Sequence, residues 1–457
     1  MGRRDGVLVI AVAALARLAV ALWAGARFVP IADGVYYATL AERLAGGAGY
    51  TWLWPDGAVT YAAHYPVGYP ALLALAFRFF GAGVTRAIAV NALLGVLAAG
   101  AGWGLASRAM GRRAALVCAL AAALEPATLL YLPAVMTEGA TAHLLVIAAW
   151  VALRARESED RRFAWLAALG VLFGAMTLVR PQSLLLAPLF GLVACASGAS
   201  LRVRLGSIAA VLALTLAICA PWTARNCVRM KSCALVSVNG GWNLWIGVAP
   251  GATGHWAPID VPAACATVWD EAGKDACFAR EARAAIARDP TRFFALVPSK
   301  LSATFDYGGA APWYLHESAP ALVSARGKEI LAGLETLFHR AALALALAAA
   351  GLGPGPRRNP RVAIAAVGGA FALGGLVASS AAFGWVAHLA FPVVVALHGR
   401  AALRLPVLLA STALAITAVA VVHAVFFGAG RYGIVVYPLV TLSAGAIAAW
   451  RPSRSAF

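Results

Sequence analysis

The sequence contains few charged residues and very few acidic ones. Of its 457 residues only 12% are charged, and 19 are aspartate or glutamate. Because soluble domains have roughly a quarter of their residues charged, this composition excludes an ordinary soluble protein. Hydrophobic residues make up 62% of the chain, which predicts an all-α polytopic membrane protein.

The net charge of +18 does not indicate a nucleic-acid-binding protein. The basic residues lie in short segments between apolar runs, as expected for a membrane protein whose cytoplasmic loops are positively charged. No basic cluster interleaves with a soluble fold, so we exclude nucleic acid as a partner and expect membrane lipids instead.

Cysteine is also scarce, and the seven residues show no C-x-x-C spacing that would indicate a metal site. Three cysteines fall in apolar runs, where they are predicted to be packing residues: Cys118, Cys195 and Cys219. Four others fall in one extramembrane segment: Cys227, Cys233, Cys265 and Cys277. That segment is predicted to face an oxidising compartment, so Cys227–Cys233 and Cys265–Cys277 are candidate disulfides, although spacing does not fix the pairing.

Long apolar runs divide the chain into about twelve predicted transmembrane helices, because about 20 apolar residues span a bilayer. The predicted spans are 7–28, 84–106, 114–133, 137–153, 163–179, 183–199, 206–222, 334–351, 362–380, 384–398, 406–427 and 433–450. The first run is longer than a signal-peptide core and is predicted to be a retained helix.

Arginines between these runs predict that both termini lie in the cytoplasm. The segments assigned to the cytoplasm hold Arg108, Arg112, Arg113, Arg154, Arg156, Arg161, Arg162, Arg202, Arg204, Arg357, Arg358, Arg361, Arg400, Arg404, Arg451 and Arg454. The short outer connections hold only Arg180 and Arg431. The prediction divides the chain into an N-terminal transmembrane module, 1–222, with a first outer loop at 29–83; an outer loop region, 223–333; and C-terminal transmembrane helices, 334–457.

The first outer loop contains the main catalytic candidate. Asp33 stands about five residues after the first apolar run, at the predicted outer membrane surface. A carboxylate at a dry interface has a raised pKa and can take a proton from a hydroxyl group, so Asp33 is a candidate general base. Asp33 is equally a residue type that caps a helix, and the following segment, 34–45, is predicted to be a short helix.

Two further acids stand near or within predicted spans. Glu138 begins the fourth span on its outer side, where it either favours the helix N-terminus or faces a cavity and holds Asp33, an acceptor or a cation. Glu125 lies within the hydrocarbon, and because Pro126 beside it breaks the helix, Glu125 is predicted to bond the freed backbone donors or to be functional. Arg17 lies in the middle of the first span and requires a partner or a water-filled cavity.

Several cations stand at predicted outer helix ends or in the second outer loop, where they could clamp a phosphate or extend to lipid headgroups. They are Arg180 in LVRPQ, Arg225 in PWTARN, Arg431 in GRYG, and Lys300. His64 precedes Tyr65-Pro66 and is a candidate for ligand or metal binding, with a solvated loop histidine as the alternative. Tyr37 in the first outer loop is a further candidate for substrate binding.

The order of motifs resembles that of the bacterial GT-C glycosyltransferases related to protein O-mannosyltransferases and to the lipid A aminoarabinose transferase. One apolar helix is followed by ADGVYY, GGAGY and HYPVGYP, and later by MTEG, LVRP, PWTARN, NGGWNLWIG and RYG. The resemblance implies a GT-C fold, with Asp33 as the catalytic acid after the first helix and Glu138 as a second acid. It implies that Arg180 or Arg225 meets the donor phosphate.

The implied reaction is an inverting hexosyl or pentosyl transfer at the outer face of a bacterial inner membrane. The donor is a polyprenyl-phosphate sugar, and the acceptor is a hydroxyl group of a lipid, glycan or protein. A phosphate leaving group needs cations more than a general acid, so one base is enough. The resemblance implies no particular cofactor, and it leaves open whether the reaction uses a divalent metal ion. The alternatives are a polysaccharide polymerase or ligase, and a flippase or transporter of lipid-linked sugars.

Overall fold

The computed structural model describes residues 2–352, 360–374 and 384–449, and it confirms a helical, multi-pass membrane architecture. In the described part of the chain, eight helices are long and apolar enough to cross a membrane. Their mutual packing depends on alanine and glycine, which let the helix backbones approach closely. In the fourth predicted cytoplasmic arginine cluster, Arg357 and Arg358 lie outside the described residues, as do Arg451 and Arg454.

The N-terminal half alternates long membrane helices with the compact first outer loop. Its helices are α1 Arg3–Ala24, α2 Asp33–Ala45, α3 Gly68–Phe80, α4 Val84–Ala109, α5 Arg112–Ala123, α6 Pro126–Leu130, α7 Thr137–Glu157, α8 Arg162–Val179, α9 Leu186–Val193 and α10 Leu201–Arg229. A hairpin of two antiparallel strands, β1 Thr51–Leu53 and β2 Val59–Tyr61, lies between α2 and α3. A 3₁₀ helix, Pro181–Leu185, precedes α9.

The second half begins with short helices of the outer region and returns to membrane helices. They are α11 Gly240–Ile246, α12 Glu271–Arg288, α13 Pro290–Ala295, α14 Val297–Phe305, α15 Ala310–Ser318, α16 Ala325–Gly351, α17 Pro360–Gly374, α18 Gly384–Ala396, α19 Val407–Val425 and α20 Tyr437–Ala444. The 3₁₀ helices are Ala263–Cys265, Gly399–Arg404, Gly430–Val436 and Gly445–Ala449.

The predicted count of twelve spans is not confirmed. Run 183–199 corresponds to a 3₁₀ helix followed by α9, which ends at Val193, and run 384–398 corresponds to the 13-residue α18. Run 362–380 continues beyond the described residues after α17, and run 433–450 is divided among α20 and two 3₁₀ helices. These helices are short because proline, glycine and local 3₁₀ geometry divide runs that are continuous in hydropathy.

The short helix predicted in the first outer loop is confirmed. The helix predicted over 34–45 is α2, and the apolar segment 68–80 of the same loop forms α3. In the outer region Asp289 caps α13, because its carboxylate accepts a hydrogen bond from Arg292 N at 3.0 Å. The strand hairpin between α2 and α3 was not predicted.

Both candidate disulfides of the outer region are present. Cys227 pairs with Cys233, and Cys265 pairs with Cys277. The three cysteines of the apolar runs are free and buried. Cys265 and Cys277 pack with Trp245 and Phe278, so this bridge fastens the small core of the outer region.

Glu125 performs the backbone role predicted for it. Its carboxylate accepts hydrogen bonds from the backbone N–H groups of Ala127 and Thr128, at 3.1 and 2.8 Å, and so caps α6. The break between α5 and α6 therefore leaves its first donors satisfied inside the membrane-spanning region.

Arg17 donates hydrogen bonds to backbone carbonyl groups. Its guanidinium donates to Ala123 O at 2.9 Å and to Ala13 O at 3.3 Å, and the side chain lines a cavity of about 20 Å³ that His143 also lines. Gly95 on α4 makes this arrangement possible, because a Cβ atom there would lie 2.0 Å from Arg17 Nε.

We predict that Gly95→Ala lowers the thermal stability of the purified protein. The new methyl group has no space beside Arg17, and overpacking of this kind costs about 1–3 kcal/mol. Gly100→Ala on the same helix is the control, because its Cβ would lie at an ordinary 3.5 Å from Ile10 Cδ1. Alanine is the better helix former, so the control should keep or raise the melting temperature. Equal melting temperatures for the two variants would contradict this account of Arg17.

Candidate active site

Asp33 stands at the first position of α2. The predicted capping role is wrong, because the residue before the helix is Ala32 and no side chain caps α2. Ala32 has φ 49° and ψ −133°, a left-handed region that non-glycine residues avoid. The chain before it is held by Tyr314, whose hydroxyl accepts a hydrogen bond from Ile31 N at 3.3 Å. Strain of this kind is common at functional sites, where the surrounding packing maintains it.

The Asp33 carboxylate is paired with a cation from the far end of the chain. Arg431 Nη2 lies 2.7 Å from Asp33 Oδ2. Arg431 belongs to the 3₁₀ helix Gly430–Val436, and Gly430 allows this segment to pack closely on Tyr307, since a Cβ atom there would lie 2.0 Å from the ring. The GRYG motif therefore delivers its arginine to the first outer loop.

A second ion pair joins the first and completes a network of four charges. Glu138 Oε1 lies 2.9 Å from Arg180 Nη1 and 3.5 Å from Arg431 Nε, so one carboxylate holds both cations. Glu138 is only 2% exposed and Arg180 is 7% exposed, so this part of the network is largely shielded from water. Of the alternatives left open for Glu138, the structure shows the one in which it holds cations.

Local sequence explains how Arg180 reaches this position. Pro181 disfavours helical geometry in the residue before it, and α8 accordingly ends at Val179 with Arg180 extended. The Arg180 guanidinium also donates to Thr137 Oγ1 at 3.1 Å. Its Nε atom is buried and has no hydrogen-bond partner among the described residues, which leaves one charged donor free for another group.

Tyrosine side chains surround the four charges. Tyr65 donates a hydrogen bond to Asp33 Oδ1 at 3.3 Å, and its ring stacks on Tyr36 with centroids 4.9 Å apart. The predicted binding residue Tyr37 is buried and packs edge-on against Tyr65. The guanidinium groups of Arg180 and Arg431 lie 4.9 and 5.1 Å from the ring centre of Tyr432. Aromatic faces of this kind hold cations without supplying a competing negative charge.

The second outer region fixes the loop that carries Tyr65. Glu271, the first residue of α12, accepts hydrogen bonds from Ala63 N at 2.6 Å, His64 N at 2.9 Å and Trp52 Nε1 at 2.5 Å. His64 is half-buried, with its ring against Tyr65 and Trp242, so it is not the solvated loop histidine of the alternative reading. Burial lowers the pKa of His64, against the opposing influence of Glu271, Asp275 and Asp33.

The expectation of a raised Asp33 pKa is wrong for this state of the site. Burial acts to raise the pKa of Asp33, but the Arg431 guanidinium outweighs it, with help from His64 and the Tyr65 hydroxyl, so the pKa lies below its ordinary value. Because the folded-state pKa lies below the unfolded-state value, the pair stabilises the fold at neutral pH. That contribution is lost as the pH falls through the folded-state pKa of Asp33.

Two predicted binding cations lie outside this network. Arg225 donates to the carbonyl oxygens of Ala62 and Tyr50, at 2.8 and 2.9 Å, and therefore holds the backbone of the first outer loop. Lys300 is buried and donates to Val425 O, the last residue of α19, at 3.0 Å. Burial lowers the pKa of Lys300 to about 8. The structure thus gives both residues backbone partners in place of a shared site with Asp33.

Sequence reasoning missed three contacts of the site: those of Tyr65, Glu271 and Tyr432. Tyr65 follows the predicted residue His64 in HYP, and Tyr432 follows the predicted residue Arg431 in GRYG. Their positions inside these motifs could therefore have identified them. Glu271 has no comparable signal, because its partners lie more than 200 positions earlier. Within the described ranges, no group of three or more His, Cys, Asp and Glu side chains is placed to hold a metal ion.

Comparison with known families supports the motif analysis. Residues 64–224 match the family model described as dolichyl-phosphate-mannose-protein mannosyltransferase. The matched segment includes HYP, MTEG and LVRP, which carry Tyr65, Glu138 and Arg180. The match confirms the resemblance to GT-C glycosyltransferases for the segment that it covers. No curated protein matches the chain significantly.

The solved structures that resemble the chain include proteins from Archaeoglobus fulgidus and Cupriavidus metallidurans. The oligosaccharyltransferase AglB from Archaeoglobus fulgidus, solved with an inhibitory peptide and a dolichol-phosphate, is 16% identical with a TM-score of 0.47, over 97% of this chain and 50% of that one. Its apo form is 15% identical with a TM-score of 0.49, over 97% and 50%. ArnT from Cupriavidus metallidurans bound to undecaprenyl phosphate is 19% identical with a TM-score of 0.42, over 96% and 77%. The chain spans about half the length of the archaeal enzymes.

Proposed function

We propose that this chain is a membrane glycosyltransferase that moves a sugar from a polyprenyl-phosphate-linked donor to a hydroxyl acceptor. The observation that carries the proposal is the convergence of Asp33, Glu138, Arg180 and Arg431 from four distant parts of the sequence. The description of the matching family names a dolichyl-phosphate-linked sugar as its donor, which has the chemistry that a pair of arginines suits.

Arg180 and Arg431 are the proposed cradle for the donor phosphate. Both guanidinium groups contact the same carboxylate, Glu138, so they lie close enough together to share one phosphate. The free Nε donor of Arg180 is available to a phosphate oxygen without breaking an existing hydrogen bond. Glu138 then acts as a positioning residue that keeps both cations in place in the absence of donor.

Arrival of the phosphate changes the state of Asp33. A phosphate group competes with the Asp33 carboxylate for Arg431, and as that ion pair weakens, the pKa of this partly exposed carboxylate rises. Asp33 is thereby converted from an ion-pair partner into a base that can accept a proton. Binding of the donor would thus raise the pKa of Asp33 and make it a base, so Asp33 need not have a raised pKa before the donor binds.

The reaction follows as a single displacement. The acceptor oxygen attacks the anomeric carbon while the bond from that carbon to the phosphate oxygen breaks. The acceptor proton passes to Asp33, and the lipid phosphate leaves with an additional negative charge that Arg180 and Arg431 neutralise. One displacement inverts the configuration at the anomeric carbon and requires a single base. The tyrosines around Asp33 would limit the access of water to the site.

The proposed orientation places this site on the outer face of a bacterial inner membrane, with both termini in the cytoplasm. The acceptor is a hydroxyl-bearing lipid, glycan or protein. The deep placement of Glu138 and Arg180 at helix ends suits a donor that stays in the bilayer, while the first outer loop and the outer region 223–333 would cover the sugar.

We predict that Asp33→Asn lowers sugar transfer by about 10²–10⁴-fold, because asparagine keeps the size of the side chain and cannot accept the proton. The measurement is release of polyprenyl phosphate from a lipid-linked sugar by the purified protein. Binding of the donor should persist, because the arginines hold the phosphate. Glu42→Gln, on an exposed position of the same helix, is the matched control and should retain activity.

Normal turnover by the Asp33→Asn protein would remove Asp33 as the base. A wild-type protein that moves the lipid-linked sugar across vesicles and releases no lipid phosphate would instead indicate a transporter.

A second prediction concerns Tyr65, which lowers the pKa of Asp33 through its hydrogen bond. In Tyr65→Phe that pKa rises, so the acidic limb of the pH profile of kcat/KM, which reports the free enzyme, should move to higher pH. Glu271→Gln should move the same limb in the same direction, because it loosens the loop that carries Tyr65.

Glu281→Gln on α12 is the control for Glu271→Gln and should leave the pH profile unchanged. If Glu271→Gln lowers only the yield of folded protein and leaves the pH profile in place, Glu271 has a purely structural role and does not position Tyr65.

A further inference from the structure

A basic pocket lies at the opposite end of the membrane helices from the candidate active site. Its volume is about 440 Å³, and its lining includes Arg108, Arg156 and Arg404 together with Glu157. Glu138 and Arg156 stand 18 residues apart on α7, a distance of about 27 Å along the helix. The pocket therefore opens near the membrane surface that faces away from Asp33.

The pocket is charged at its rim and apolar in its depth. On α4 and α7 the buried Leu105 and Leu153 each precede a lining arginine by three residues, one turn further into the membrane. Leu408 is the second residue of α19, four residues after Arg404. All three elements thus place an apolar side chain below a guanidinium group. A small soluble anion would make no use of the apolar side chains deep in the pocket. A lipid would use both parts, because it carries a charged headgroup next to an acyl chain.

The charged side chains at the rim of the pocket are not fully neutralised, so the rim can attract an anion. Arg108 pairs with Glu157 at 3.4 Å, and 59% of the Arg108 side chain is exposed. Arg156 donates to the carbonyl oxygens of Leu403 and Leu405, which ties the end of α7 to the segment before α19. Arg404 is exposed at the mouth. Three guanidinium groups against one carboxylate give the rim a net positive charge.

We propose that this pocket binds the phosphate headgroup of one anionic phospholipid from the adjacent leaflet, with an acyl chain against Leu105, Leu153 and Leu408. Basic pockets between membrane helices recognise anionic headgroups by this combination of charge and apolar surface. The lipid would bridge the ends of α4 and α7 to the start of α19. Because α19 leads directly into the segment that carries Arg431, the bound lipid would support the framework of the active site from its far end.

The test is native mass spectrometry of the full-length protein with phosphatidylglycerol, and with phosphatidylethanolamine of the same acyl chains as the zwitterionic probe. Wild type should retain phosphatidylglycerol preferentially. Arg108→Gln/Arg404→Gln should weaken its binding by about tenfold or more, since each surface arginine contributes appreciably to anionic lipid binding. Arg113→Gln/Arg202→Gln removes the same charge from exposed positions that do not line the pocket and should bind like wild type.

Three results would overturn the proposal. They are equal retention of both lipids by wild type, equal losses in the two double variants, and binding of glycerol phosphate as tight as that of the lipid. The last result would identify a soluble phosphate site. If the pocket double variant does not fold, Arg108→Gln alone serves, because Glu157 is the ion-pair partner of its exposed side chain among the described residues. This single variant should weaken phosphatidylglycerol binding by about fivefold.

Discussion

The candidate site depends on the mutual neutralisation of four charges at a poorly hydrated surface. Removing one member of a buried ion pair leaves an uncompensated charge, which is costly in a low-dielectric environment. Glu138 is nearly inaccessible and depends on Arg180 and Arg431, while Arg431 also neutralises Asp33. Two cations and two carboxylates therefore neutralise each other, and in the proposed reaction a donor phosphate would replace the Asp33 carboxylate as a partner of Arg431.

The fold is arranged to bring these four residues to one point. The start of α7 supplies Glu138, the proline-induced end of α8 supplies Arg180, and the 3₁₀ helix after α19 supplies Arg431. Membrane helices are rigid and end at a common surface, so their ends can be placed accurately. Asp33 comes from the first outer loop, as the first residue of α2, and that loop is held by Tyr314 on one side and by the contacts of Glu271 on the other.

Sequence patterns predicted the members of the site better than their roles. Arginines and acids at outer helix ends are rare in such an apolar chain, so their positions made Asp33, Glu138, Arg180 and Arg431 candidates, and the structure brings these four together. Arg225 carries the same signal and instead holds loop carbonyls, a distinction that only tertiary packing reveals. The lowered pKa of Asp33 was likewise hidden, because it arises from a partner almost 400 residues later. Hydropathy located the apolar runs, but it could not show that 183–199 contains a 3₁₀ turn and a short helix.

The most direct test of the account is a structure of the wild-type protein determined by electron cryomicroscopy with a polyprenyl phosphate bound. The account predicts a phosphate within hydrogen-bonding distance of both Arg180 and Arg431, with the Asp33 carboxylate released from Arg431 and facing the position of the sugar. A phosphate bound elsewhere, with the pair between Asp33 and Arg431 intact at 2.7 Å, would contradict it.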